Sequence, residues 1–265
     1  MPTSASGTGD PVDPHVPTAA RRFARRSSLV HSRQGRIPAI KRALAGFAAW
    51  ALLGAAASAT PDLVHRWSFN DGTANDLVGT AHGTLFGNTT PAITGGKLVL
   101  NSGSDQNQYM KTSAFTGETL GVRTLVAWVT LSNLNQPGGA GVLGIHPDGV
   151  DNFDSIVYGE RVAKQWMNGS DGFQRTVANN GGAAETSTGE VMMAIVYDSD
   201  NSIKLYRNGV RYDTNANAGT LVTRTAPIAI LGRRQENSPP ELQGAINEAR
   251  IYNYALTDVE IQELS

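Results

Sequence analysis

From Thr60 onward, no stretch before the C-terminus keeps an apolar period of 3.6 residues for three turns. Short apolar or alternating runs recur instead, at 63–69, 97–100, 124–131, 141–145, 155–158, 191–197, 202–212, 226–232 and 245–252, separated by Gly, Asn and Asp. Such spacing with turn residues between the runs predicts strands packed as an antiparallel sandwich. Of the 29 glycines, 24 fall in this region, as many tight turns require. The sharpest local signal is at 202–214. Ile203, Leu205 and Arg207 alternate with Lys204 and Tyr206, and Asn208-Gly209 then reverses the chain into Val210-Arg211-Tyr212. Asn-Gly suits a type I′ turn, whose two central residues both need positive φ, so a hairpin is predicted. Near the end, Thr257-Asp258-Val259-Glu260 matches a capping box and starts a short helix whose Val259, Ile261 and Leu264 face the sandwich. No internal repeat is visible, so one domain is expected over 60–265.

What precedes that domain is of another kind. Residues 1–42 are rich in Pro, Ser, Arg and Gly without apolar periodicity, which predicts disorder. A charge-free run then extends from Ala43 to Ala59 and ends in Ala57-Ser58-Ala59. A basic n-region, an apolar h-region and a small-x-small site are the marks of a cleaved secretory signal. The run is short and Ala-rich for a bilayer core that needs about 20 apolar residues, so no membrane span is expected after cleavage. The expected address is extracellular, cell envelope or periplasm. Translation starting near Leu29 or Val30 would leave a signal of ordinary length, a second expectation for this segment.

The net charge of −1 conceals an uneven distribution. Removing the basic head leaves residues 60–265 with a net charge of −7. Nucleic acid is therefore not an expected partner, because neutralising phosphates requires clustered Lys and Arg. The absence of cysteine excludes thiol nucleophiles, disulfides and Cys-ligated zinc.

Four segments carry a family resemblance. They are Leu63-Val64-His65-Arg66-Trp67-Ser68-Phe69-Asn70-Asp71-Gly72 with Asn75-Asp76 and His82-Gly83-Thr84-Leu85; Gly96-Lys97-Leu98-Val99-Leu100 with Tyr109; Leu205-Tyr206-Arg207-Asn208-Gly209; and the stretch 242–256 running into Glu260-Ile261. In order and spacing the chain resembles the laminin-G-like domains of the concanavalin A-like lectin/glucanase superfamily. The resemblance implies an all-β fold, a two-sheet antiparallel jelly-roll sandwich with first and last strands adjacent and a short C-terminal helix. Trp67 and Trp128 are expected in its core. The chain departs from the family at Glu190-Val191-Met192-Met193-Ala194, where many relatives carry a Trp-x-His pair. It departs again at Asn247-Glu248, where many have Asp-Glu. Alternation places Glu248 beside Arg250 as an ion pair and Asn247 as a half-buried hydrogen-bonding residue.

Relatives often hold a structural Ca²⁺ where the first and last strands meet. The resemblance makes Asn70, Asp71, Asp76 and Glu248 the candidate metal ligands, as hard oxygens suited to calcium. The competing expectation is an Asx turn, in which Asn70 or Asp71 bonds its own backbone.

Catalytic patterns are sparse. The Glu-x-Asp-x-Glu strand of the superfamily's β-glucanases does not occur, and Asp258-Val259-Glu260 lies in the capping helix. Gly139-Ala140-Gly141-Val142-Leu143-Gly144 fits a dinucleotide fingerprint, but it follows a Pro-Gly turn and runs into His146-Pro147 instead of opening a helix. Of the domain's three histidines, His65, His82 and His146, the first two have no carboxylate at ligand spacing, so structural roles are expected for them.

Recognition chemistry concentrates between His146 and Phe173. Aromatic rings there stand beside planar hydrogen-bonding groups, as a sugar site requires. Tyr158, Arg161, Gln165, Trp166, Asn168 and Asp171 are the candidate ligand-binding residues. The expected function is a non-catalytic module recognising carbohydrate or a cell-surface glycan, seated in a polar-rimmed aromatic cleft. The alternatives are an adhesion domain with a protein partner, marked by an exposed apolar patch, and a polysaccharide-active enzyme such as a lyase.

Overall fold

The computed structural model describes residues 63–100, 107–147, 149, 152–176, 182–237 and 239–265. The head at 1–42, expected to be disordered, and the segment at 43–59, expected to be a secretory signal, lie outside the described residues. In chain order the strands begin with β1 (Leu63–Trp67), β2 (Gly83–Phe86), β3 (Ala92–Thr94), β4 (Lys97–Leu100), β5 (Tyr109–Thr112), β6 (Thr119–Leu120), β7 (Arg123–Leu131) and β8 (Ala140–His146). They continue with β9 (Asp154–Tyr158), β10 (Trp166–Ser170), β11 (Val191–Tyr197), β12 (Ile203–Arg207), β13 (Val210–Asn215), β14 (Arg224–Thr225), β15 (Ile228–Leu231) and β16 (Gly244–Tyr252), and α1 (Asp258–Glu263) ends the chain.

These strands form two main antiparallel sheets. One has the order β13-β12-β11-β7-β16-β4-β3, with β1 also on β16; the other is β10-β9-β8-β15-β5-β2. The first and last strands therefore pair, with Trp67 opposite Ala249. The expected all-β jelly-roll sandwich is the fold observed.

Side-chain parity explains where the core lies. On β7 and β11, Leu125, Ala127, Val129, Met193 and Ile195 point between the sheets, together with Trp67, whose Nε1–H donates to the Ala81 carbonyl at 3.0 Å. The opposite parity, Val126, Met192, Ala194 and Val196, is also apolar, because α1 covers that outer face with Ile261. Burying Ile261 there favours the fold by roughly 1.5–3 kcal/mol. Trp128 shares this outward parity, which corrects its expected place in the inter-sheet core. It is half-buried on the outer face, with the Arg250 guanidinium 4.7 Å from its ring centroid. A bulge at Asn247 shifts the register of β16 against β7, so that Ile246 and Ala249 both face the core despite their odd spacing.

The predicted hairpin and capping box are both present. Asn208 and Gly209 have φ of 46° and 75°, as a type I′ turn requires. The Thr257 hydroxyl accepts from the Glu260 N–H while the Glu260 carboxylate accepts from the Thr257 N–H.

Candidate functional site

Strand parity also decides the fate of the sequence-derived candidates. Ile145, Asp154, Ile156, Tyr158, Trp166, Asn168 and Ser170 share the inward side of the six-stranded sheet, as their cross-strand pairing shows. Tyr158 and Trp166 are fully buried, packed edge to face at 4.8 Å, so they form no exposed stacking platform. Their polar ends are spent internally. The Tyr158 hydroxyl donates to the Leu134 carbonyl at 3.1 Å, and the Trp166 Nε1–H donates to Glu185 at 2.7 Å. Burial pushes the Tyr158 phenol up to about 12.

Asn168 is also fully buried, donating to the Arg175 carbonyl and accepting from the Tyr197 hydroxyl. It borders a charged cluster inside the sandwich. Asp154 is wholly buried among Arg123, Arg175 and Arg224, the last at 2.8 Å. Burial alone would raise its pKa, but the three guanidinium groups outweigh burial and hold it well below the usual carboxylate range. Asp171 belongs to the same knot, accepting from Arg175 at 2.8 Å and Arg224 at 2.9 Å. The carboxylate expected to meet a ligand is therefore saturated by arginines. Gln165 is half-buried, with its backbone tied to Val162 and Gly159. Of the six candidates, Arg161 alone is exposed, its guanidinium 4.9 Å from the centroid of the Phe173 ring.

That contact leads to a cleft on the outward side of the same sheet. Its volume is about 280 Å³, and its walls include Phe153, Phe173, Glu160, Arg234, Gln235 and Asn237. Its floor is Gly169 on β10, where a Cβ would come within 2.7 Å of Val157 and 2.9 Å of Phe153. Gly141 and Gly144 on β8 share this face, and a side chain on either would run into the backbone of Arg233 and Arg234. The glycines of the apparent dinucleotide fingerprint thus let the segment after β15 cross the sheet at close range. Arg234 ion-pairs with Glu160 across the cleft wall. Phe173 is 46% exposed and holds a φ of 71°, a left-handed conformation that is rare for a bulky side chain.

The calcium candidates do not fit a metal. Asp71 accepts from the Thr73 N–H at 3.0 Å and its hydroxyl at 2.9 Å, the Asx-type turn that was the competing expectation. Asn70 is exposed, with its Oδ1 against Gly96. Asp76 is buried, bound to His65 Nδ1 at 2.6 Å and to the N–H groups of Arg66, Val78, Gly79 and Ala81. Burial opposes its ionisation, but these hydrogen bonds prevail and bring its pKa to about 2. Glu248 is claimed by Arg66, at 2.8 Å, and by Arg250. The ion pair expected with Arg250 is present, shared with an arginine from β1. The carboxylates of Asp71, Asp76 and Glu248 already have donors, and no group of three or more His, Cys, Asp or Glu side chains could hold a metal among the described residues. His65 also meets Glu118 at 3.1 Å, so the structure supplies the carboxylates that were missing from its sequence neighbourhood.

A family model described as the concanavalin A-like lectin/glucanases superfamily matches residues 101–262. No curated protein matches in sequence. Among solved structures, the chain is similar to domain 4 of AbnA, a GH43 extracellular arabinanase from Geobacillus stearothermophilus, in complex with arabinotriose. The TM-score is 0.61 at 21% identity, covering 77% of this chain and 98% of that one. It is also similar to Trypanosoma rangeli sialidase, at TM-score 0.54 and 17% identity, covering 76% of this chain and 32% of the sialidase. The binding domain of Paraclostridial Mosquitocidal Protein 1 matches with TM-score 0.51 and 15% identity, over 77% of this chain and 51% of that domain. At these identities the likeness is one of fold. Among the described residues, no helix is long and apolar enough to cross a membrane.

Proposed function

The chain belongs to the concanavalin A-like lectin/glucanases superfamily, and from that premise we propose that it is an exported, non-catalytic module that binds carbohydrate, with the cleft between Phe153 and Phe173 as its site. The observation that carries this reading is the cleft's composition. Two aromatic rings stand among a carboxylate, a guanidinium and two carboxamides, on glycines that hold the floor open. Rings receive the C–H face of a sugar, and planar polar groups exchange hydrogen bonds with its hydroxyls. At about 280 Å³ the cleft lies just below the 300–1,000 Å³ common for small-molecule sites, a size for one or two sugar rings of a longer glycan. The arabinotriose complex of the AbnA domain supports the same ligand class.

The non-catalytic part rests on the same wall. Glycoside hydrolysis uses two carboxylates flanking the bond, about 5–9.5 Å apart. Glu160 is the one carboxylate among the lining residues, and it is paired with Arg234. Export rests on the segment 43–59 and predicts a mature N-terminus at or near Thr60. N-terminal sequencing of secreted protein checks this, and retention of Arg36 or Lys41 would refute it. A glycan array probed with the purified protein and with Phe173→Gly tests the binding claim. Saccharide hits that vanish in the variant support it. Hits unchanged in the variant, or an array without hits, would overturn it.

A further inference from the structure

The cleft has a property that narrows its ligand, and the inference rests on the carbohydrate reading above. Two of its lining side chains carry a buried oxygen without a hydrogen-bond partner among the described residues: Gln235 Oε1 and Glu160 Oε2. Gln235 is 93% buried, and the Glu160 side chain is 14% exposed. An unpaired buried acceptor leaves its desolvation uncompensated, and more so on a carboxylate. Of the seven side-chain atoms in this state among the described residues, these two belong to residues lining one cleft, where the donors of a ligand would satisfy both.

We propose that the cleft selects a neutral, hydroxyl-rich saccharide unit whose O–H groups donate to Gln235 and Glu160, and that it disfavours saccharides carrying a carboxylate. The last torsion of Glu and Gln is soft, so a small rotation turns both oxygens toward an incoming hydroxyl. The Glu160 bond is charge-assisted and the stronger of the two. The charge balance of the wall agrees, because Arg234 already pairs with Glu160 and leaves no net positive charge there. A ligand carboxylate at this depth would meet two acceptor oxygens and repulsion from Glu160. Arg161 is not one of the lining residues, and its guanidinium is held against the Phe173 ring.

Calorimetric titration of the purified protein with arabinotriose, xylotriose and cellotriose, and in parallel with trigalacturonic acid and 3′-sialyllactose, tests the selection. At least one neutral trisaccharide should bind about tenfold or more tighter than either acidic probe, the equivalent of one lost charged hydrogen bond. Gln235→Met and Glu160→Gln should each weaken that binding about fivefold or more, with melting temperatures confirming that both variants fold. Should one variant fail to fold, the other carries the test. Equal or tighter binding of an acidic probe that Phe173→Gly abolishes would overturn the selection and leave the carbohydrate reading standing. Neutral binding untouched in both folded variants would overturn it as well. Absence of binding by every probe would overturn both.

Discussion

At the residue scale, the protein divides its polar groups between those locked inside and those turned outward by one step of strand parity. Asp154 is the clearest of the locked groups. Removing it would leave buried Arg123 without a carboxylate and Arg175 and Arg224 with Asp171 alone, and breaking a buried ion pair in that way costs about 3–5 kcal/mol. Asp154→Ala should therefore fail to fold or lose most of its stability in urea, and a midpoint within error of the parent would refute the assignment. Acid should act on the same class of group. Asp76 has a folded pKa of about 2 against an ordinary 3.8, so the stability it adds is complete above the ordinary value and is lost as pH falls toward 2. A melting temperature flat between pH 7 and 5 but falling steeply from pH 4 to 2 is expected, and Asp76→Asn should flatten that fall. Phe173 is the opposite case, an exposed ring on strained backbone. Phe173→Gly removes the strain and the Arg161 contact together, so stability should stay within about 1 kcal/mol of the parent while saccharide binding disappears. A large loss of stability in thermal melts would show that the ring supports the fold.

At the scale of elements, the features legible in the sequence are those whose chemistry is local. Asn208-Gly209 specifies its turn within two residues, and Thr257 with Glu260 specifies a helix start within four. Gly209→Val should cost about 1 kcal/mol or more by urea denaturation. A β-branched residue resists a φ of 75°, and a Cβ would lie 2.6 Å from the Ser265 hydroxyl and 3.1 Å from the Gln262 Cα. The candidate site was legible only as a region. The stretch 146–173 does supply Phe153, Glu160, Gly169 and Phe173, but Tyr158, Trp166 and Asn168 belong to the inward parity. Aromatic content marks a strand as important without saying which face its rings take. Arg234, Gln235 and Asn237 come from a segment distant in sequence, and their approach is encoded in the glycines at 141 and 144, which in sequence fit a dinucleotide fingerprint. The bulge at Asn247 was invisible to simple alternation, yet it explains why Ile246 and Ala249 share a face.

At the scale of the whole molecule, the sandwich uses its two outer faces differently. The outer face of the eight-stranded sheet is closed by α1 around Ile261, whereas the segment after β15 covers only part of the other and leaves a cleft beside it. The proposed ligand site accordingly lies on the six-stranded sheet. The exposed large apolar residues among those described are the adjacent Leu77 and Val78, then Phe86, Val162, Phe173, Val210 and Val259, and of these Phe173 lines the cleft. The measurement that bears most directly on the account is amide chemical-shift mapping of the ¹⁵N-labelled protein titrated with the tightest-binding neutral trisaccharide. The account predicts saturable shifts concentrated at Gly169, Gly172, Phe173, Gln235 and Asn237, with the amides around α1 unmoved. Saturable shifts centred on the other sheet, or on the hairpin at Asn208-Gly209 with the cleft silent, would contradict it.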